Sequence, residues 1–341
     1  MSQLPLGKLP KDVLISKVLR NITYREDVLL PPAYGEDGAV TRVSGNIIVA
    51  ASDPITGASE EAGWLSVHVN ANDIAVHAAY PKWYLVTLLF PMNTEEGDIE
   101  KVMLGIKKGL EEINASLIGG HSEITNRVSE SIIIGTMIGE PMVAGKFVTS
   151  SGARPGDMII LTKGAGIEGT FILATDFEEK LFSEIDESII RKAKEFRDKI
   201  SILPEVRILT SNLDLKYIHA MHDVTEGGLL GGVYELAYAS NVGFEIFEEN
   251  ILIPKETKEI CRVFDLDPLK LISSGSLLIA IDKTVAEDAV SILVKKGIPA
   301  SIIGHFTEER KMLLVKKTSE KINILEPPVD ELWRILSIRS I

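Results

Sequence analysis

A chain of 341 residues, 45% hydrophobic and 25% charged, has the material for two globular domains and is not disordered. Its net charge of −13 argues against nucleic acid as the main partner, though not against a nucleotide whose charge a metal neutralises. A single cysteine excludes an intramolecular disulfide and speaks against a thiolate zinc site, and no apolar run reaches the ~18 residues of a membrane span, so a cytoplasmic protein is expected.

In chain order, residues 46–51, 83–90 and 131–139 are short β-branched or aromatic runs bounded by Gly, Pro or Asp, and the pattern predicts strands. Residues 65–79 mix Leu65, Val69, Ile74 and Val76 with many small residues, which predicts a buried helix. A helix is expected over 95–114, where Ile99, Val102, Met103, Ile106, Leu110 and Ile113 form one stripe and Asn93 or Thr94 could cap the start. The turn-rich stretch Ser150-Ser151-Gly152-Ala153-Arg154-Pro155-Gly156-Asp157 marks a domain boundary, giving domains at 1–150 and 151–341. Beyond it, strands are expected at 158–162, 276–281 and 300–304. A strand and loop are expected over 217–228, and helices at 184–199, from 228 to 238 and at 285–296. Two α+β or α/β domains in series account for this alternation.

Carboxylates recur beside small residues at the edges of these apolar runs. They stand in Gly35-Glu36-Asp37-Gly38-Ala39, Ser52-Asp53-Pro54, Asn72-Asp73-Ile74-Ala75 and Gly119-Gly120-His121-Ser122-Glu123. Hard oxygen ligands around glycine-rich turns suit Mg²⁺ and a polyphosphate, although each group singly reads as a solvated turn. Gly164-Ala165-Gly166-Ile167-Glu168-Gly169 fits G-x-G-x-x-G, but the acid required some 20 residues on falls in a charged helix, so a tight turn is the better reading. Asp223-Val224-Thr225-Glu226-Gly227-Gly228 opens a helix whose backbone N–H groups could take an anion, or whose Asp or Thr simply caps it. His219 and His222 lack the partners of a metal site, and Cys261 reads as packing.

Taken in order, Glu36-Asp37-Gly38-Ala39-Val40, Asp53-Pro54, Asn72-Asp73-Ile74-Ala75, Gly119-Gly120-His121 and Asp223-x-Thr225-x-Gly227-Gly228 resemble the aminoimidazole ribonucleotide (AIR) synthase superfamily. Its members include AIR synthase (PurM), selenophosphate synthetase, thiamine-monophosphate kinase and the hydrogenase maturation protein HypE. The Gly-Gly-His-Ser-Glu form is most similar to HypE and its AIR synthase-related kin. The resemblance implies a two-domain PurM-like fold of α+β or α/β class. In it, an N-terminal β-rich domain pairs into a dimeric β-barrel and is followed by a C-terminal α/β domain. It also implies ATP and Mg²⁺ as cofactors, a homodimer, a possible maturation-protein partner, and neither nucleic acid nor membrane. Asp37, Asp53 and Asp73 would then hold the metal. Asn72, Gly119, Gly120, His121, Asp223, Thr225, Gly227 and Gly228 would bind the nucleotide, with Asp73, His121 and Glu123 in catalysis.

The implied activity is ATP-dependent phosphorylation or dehydration of an amide-type or other small acceptor, possible in hydrogenase maturation as carbamoyl-to-cyano conversion. A kinase of the thiamine-monophosphate type and a non-catalytic nucleotide-binding scaffold are the alternatives. Two departures stand out. HypE ends in Pro-Arg-Ile-Cys, whose cysteine is the modified group, where this chain reads Ile338-Arg339-Ser340-Ile341. HypE also starts with a glycine-rich H-G-x-G-G, where this chain has Gly7-Lys8-Leu9-Pro10. Another acceptor is therefore expected.

Overall fold

The structure, a computed structural model, describes residues 4, 7–56 and 61–339; the tail end Ser340-Ile341 lies outside them. The chain forms two compact units, one of residues 26–31 and 37–147 and the other of residues 32–36, those from 148 on and those before 26. The chain passes from the first of these units to the second at Val148. The N-terminal residues, including a short helix α1 (Lys11–Val13), belong with the C-terminal unit instead, held there by polar contacts of Lys8 and Lys11. Those contacts link residues more than 200 apart, so no local pattern foretells them.

The N-terminal unit runs β1 (Val28–Leu30), β2 (Ala39–Val43), β3 (Asn46–Ile55), α2 (Ala62–Ala75), β4 (Ala79–Phe90), α3 (Glu96–Ile113), β5 (Ser116–Ile124) and β6 (Ile132–Pro141). Its sheet has the order β1-β2-β3-β6-β4-β5 and is open at both edges. Every pair is antiparallel except β4 and β5, which run parallel across the α3 crossover. Ile133, Gly135, Met137 and Gly139 of β6 alternate onto the α2 side and are more deeply buried than their neighbours Ile132, Ile134, Thr136 and Ile138. The glycines matter here. A Cβ at 135 would collide with Asn70 and Tyr84, and one at 139 with Ile74, so α2 seats directly on the backbone of β6. Its other side is covered by the apolar stripe of α3, and all fourteen residues of α2 are buried. The expected helix at 65–79 therefore starts earlier and ends at Ala75, where a turn with Ala78 at φ +55° delivers the chain into β4. Thr94 does not cap α3; its hydroxyl donates to Pro91 O.

The C-terminal unit carries a seven-stranded sheet of order β13-β12-β9-β11-β7-β10-β8. In chain order its elements are β7 (Met158–Thr162), α4 (Ile167–Asp176), α5 (Glu178–Phe182), α6 (Glu187–Lys194), α7 (Leu203–Asn212), β8 (Ile218–Asp223) and α8 (Gly228–Ala239). There follow β9 (Gly243–Phe247), α9 (Lys255–Phe264), β10 (Leu277–Ile281), α10 (Ala286–Lys295), β11 (Ala300–Thr307), β12 (Met312–Val315), β13 (Lys321–Asn323) and α11 (Glu331–Arg339). Among the described strands of this sheet, β9 and β12 pair in parallel and the other neighbours antiparallel. The five residues of β10 are all buried, as a strand flanked on both sides by β7 and β8 requires. One face of this sheet packs on Leu229, Leu230, Val233 and Leu236 of α8. Cys261 is buried on α9, and burial pushes its thiol up to about 12, which makes it an inert packing residue. No helix among the described residues is long and apolar enough to cross a membrane.

Candidate functional site

In the N-terminal unit three of the acidic motifs meet α2. The Asn70 side chain accepts from the Asp53 N–H at 2.9 Å and donates to Asp53 O at 3.2 Å, which ties the end of β3 to the helix. One turn further along α2 stand Asn72, fully buried, and Asp73, 5% exposed. The third motif arrives through Gly38, where a Cβ would lie 3.0 Å from Nε2 of the buried His77, just past the end of α2. Asp37, Asp53, Asn72 and Asp73 are thus all borne on segments that approach the C-terminal half of one helix. That half carries the negative pole of the helix dipole, so carboxylates there are stabilised by a cation. Carboxylate oxygens are of the hard type that Mg²⁺ takes, but Asp37, Asp53 and Asp73 do not close into a three-acid ligand cluster among the described residues.

Gly119-Gly120-His121-Ser122-Glu123 has a different setting. Expected as a loop, it is part of β5, an edge strand whose nine residues are all exposed. The pairing with β4 skips Ile118, a bulge, and Gly120 follows at φ +152°, where a Cβ would collide with Val86 O. That close approach accounts for the glycine. His121 is 64% exposed, with Nε2 3.1 Å from Glu123 Oε2. Asp53 lies opposite Gly135, Gly135 opposite Val86, and Val86 opposite Gly120. Three strand spacings, about 14 Å, separate the ends of that row, so one chain does not bring His121 beside Asp53.

In the C-terminal unit, Asp223 ends β8 and is buried, and the loop after it enters α8 through Gly227 and Gly228, at φ +84° and +61°. The amides at this helix start are engaged. Gly227 N–H donates to Asp330 Oδ2 at 2.7 Å, Gly228 N–H to Thr225 O at 3.1 Å, and Leu230 N–H to Leu269 O at 3.0 Å. Below the loop, His222 Nε2 stands 3.1 Å from Glu235 Oε2. Burial would raise the Glu235 pKa, but Lys8 and His222 outweigh it and bring the carboxyl down to about 2. Lys8 Nζ lies 3.0 Å from Thr225 Oγ1 and 3.5 Å from Glu235. Lys8, Glu235 and Asp330 carry no motif of their own. Their role at the loop is set by packing between distant parts of the chain.

The G-x-G-x-x-G stretch is a packing turn. Ala165 N–H donates to Leu252 O, Ile167 N–H to Ser273 Oγ and Gly169 N–H to Ile272 O, which leaves little backbone for a phosphate. Just before it, Lys163 donates to the carbonyls of Lys199, Ser201 and Gly275 and pairs with Glu205 at 2.6 Å, anchoring the turn. Glu168 inside the turn is buried, and its Oε2 has no hydrogen-bond partner among the described residues. Burial, opposed by Ser274 and reinforced by Asp330 and Glu226, pushes it up to about 7.

Comparison with known proteins adds to this geometry. Residues 35–140 match the family described as AIR synthase related protein, N-terminal domain, and residues 154–317 match its C-terminal domain. The chain is 29% identical to a putative hydrogenase expression/formation protein of Methanocaldococcus jannaschii, over 91% of each. It is 26% identical to the thiamine-monophosphate kinase of Aquifex aeolicus over 62% of this chain and 64% of that one. With the carbamoyl dehydratase HypE of Rhodobacter capsulatus it shares 24% over 75% and 73%. Among solved structures, a HypE–HypF complex superposes with a TM-score of 0.75 at 20% identity, covering 92% of this chain and 99% of that one. HypE in complex with ATP gives 0.70 at 19%, covering 96% and 98%. The two-domain fold with mixed α/β content is the one these proteins share.

Proposed function

The chain belongs to the AIR synthase related family, and from that premise we propose that it is an ATP-dependent enzyme of the HypE type. Its reaction is the phosphorylation of an amide-type oxygen on a small or protein-borne acceptor. The observation that carries this reading is the gathering of Asp53, Asn72, Asp73 and the Asp37–Gly38 segment around the C-terminal half of α2. A metal ion held by Asp37, Asp53 and Asp73 would supply charge neutralisation for the phosphates. Phosphoryl transfer needs little else beyond positioning, and rigid placement on a wholly buried helix provides that. Asn72, next to Asp73, offers an amide to a phosphate oxygen. With a carboxamide acceptor, the oxygen takes the phosphoryl group, the nitrogen gives up its protons, and the C–O bond breaks to release phosphate and leave a nitrile.

His121 and Glu123 fit this reading through a second copy of the chain. Their strand is an open edge carrying exposed Leu117, Ile118 and Ile124, which a pairing partner would cover. A homodimer joined there puts the His–Glu pair of one protomer at the site of the other. A maturation-protein partner is the matching candidate, by analogy with the HypE–HypF complex.

The test is direct. Purified protein is incubated with Mg-ATP alone, with a carbamoylated-cysteine peptide, or with thiamine monophosphate, and the products are identified by mass spectrometry. A nitrile is expected. Thiamine diphosphate, formed by transfer of a phosphoryl group onto the phosphate of thiamine monophosphate with release of ADP, would establish the kinase instead, a reading supported by similarity to thiamine-monophosphate kinases. Asp73→Asn should lower Mg-dependent ATP hydrolysis on the order of 100-fold without lowering the melting temperature, and light scattering of the same samples should give twice the chain mass. Wild-type turnover in that variant would sink the site assignment.

A further inference from the structure

We propose that Lys8 is a nucleotide-positioning residue, the cation through which the Thr225 loop receives a polyphosphate. This rests on the Mg-ATP reading above and extends it to a segment outside the family's matched regions, which begin at residue 35. The loop is a poor anion cradle by itself. The amides of Gly227, Gly228 and Leu230 already donate within the chain, and the surrounding side chains include Asp223, Glu226, Glu235 and Asp330. A triphosphate brought to this loop would meet carboxylates and few donors unless a cation stands there. Lys8 does, with Nζ 3.0 Å from Thr225 Oγ1 and its side chain 51% exposed.

The segment is held in place from both sides of that ammonium. Lys8 N–H donates to Glu226 Oε2 at 3.0 Å. Gly7 sits at φ +97°, and a Cβ there would come within 2.9 Å of both Glu226 Oε2 and Trp333 Nε1, so only glycine fits. Further on, Lys11 Nζ donates to Tyr234 Oη at 2.8 Å and lies 4.9 Å from the Tyr238 ring centre. The contact of Lys8 Nζ with Glu235 is long, at 3.5 Å, and Glu235 keeps His222 at 3.1 Å if Lys8 turns to a phosphate. Thr225 Oγ1, accepting from Lys8, retains its own hydroxyl hydrogen to donate to the same ligand.

A plain counter-ion role for Lys8 makes different predictions, and equilibrium binding with steady-state kinetics separates them. Wild type, Lys8→Met, Lys8→Arg and Gly7→Ala are titrated with Mg-ATP and with AMP, with Lys311→Met as a surface-charge control. Lys8→Met should weaken Mg-ATP about 10- to 100-fold, the value of one hydrogen bond to a charged group, with a clearly smaller loss for AMP. KM should rise in step with Kd while kcat falls less, Lys8→Arg should recover most of the loss, and the control should match wild type. Gly7→Ala, which displaces the segment with Lys8 intact, should move Mg-ATP affinity the same way. The proposal is overturned if Lys8→Met binds Mg-ATP as wild type does, or loses ATP and AMP equally. If wild type itself binds no Mg-ATP, the underlying reading has failed, and that is seen before any variant is measured.

Discussion

Two glycine pairs that look alike in the sequence are put to different uses. Gly119-Gly120 lies in an exposed edge strand, where the second glycine lets a bulge press against Val86 O and the side chains beyond it face solvent. Gly227-Gly228 lies in a buried loop, where both residues take left-handed backbone and the surrounding acids are bound inward. The first pair leaves its neighbours His121 and Glu123 exposed and in contact with each other. The second is a structural corner whose own amides donate within the chain. A glycine-rich motif reports that backbone comes close to something; what that something is depends on which groups are already bonded.

The largest effect that could break this contrast is on stability at the buried corner. Gly228→Ala places a Cβ 2.6 Å from Leu271 O and 2.8 Å from Leu269 O at a φ of +61°. A loss of about 2–4 kcal/mol is expected in urea unfolding, and a neutral result would mean the corner is loosely packed. The next effect tests the acids behind that corner through pH. Glu168 is raised from the ordinary 4.5 to about 7, mainly by burial, so the native state keeps a proton that the unfolded chain releases across that interval. The unfolded state then binds fewer protons, and stability falls as pH rises from 4.5 to 7; Asp330, raised by burial to about 6, adds the same sign at lower pH. Glu168→Gln should flatten the dependence and exceed wild-type stability at pH 8 by at most about 3 kcal/mol, while differing little at pH 5. Equal slopes for the two proteins would show that Glu168 ionises in the native state at no cost.

How much of this was legible in the sequence follows from where each determinant lies. The runs at 46–51, 83–90 and 158–162 and the stripe of α3 are local patterns, and the elements appear where those patterns are. Strand β5 was not legible as a strand, because Gly-Gly-His-Ser-Glu has little β propensity and is extended through its ladder with β4. Strands β9, β12 and β13 were missed for their shortness, three to five residues each, and it is their partners that fix them. The acids Asp37, Asp53 and Asp73 could be picked out by their turns, yet their approach to one end of α2 depends on Asn70 and on the missing side chains of Gly38 and Gly135. At the second loop, the deciding facts are an acid at 330, a carbonyl at 269 and an ammonium at 8. None of these is within forty residues of Gly227, so a reading by motif could find the loop but not learn that its amides were taken.

The smallest expected effect sharpens the comparison from the exposed side. His121 meets Glu123 on a strand edge, where an ion pair between exposed groups is worth little, so His121→Ala should change unfolding stability by less than about 0.5 kcal/mol. Because the fold hardly registers the change, any loss of turnover in that variant belongs to chemistry or to contact with a second copy. A lower kcat with an unchanged dimer mass would place the imidazole at the reacting groups, and a lower mass would make β5 chiefly an interface. If kcat and mass both match wild type, His121 leaves the catalytic set. The work of that set would then rest on Asp73, buried on α2, and on Asp37 and Asp53 on the segments that approach that helix.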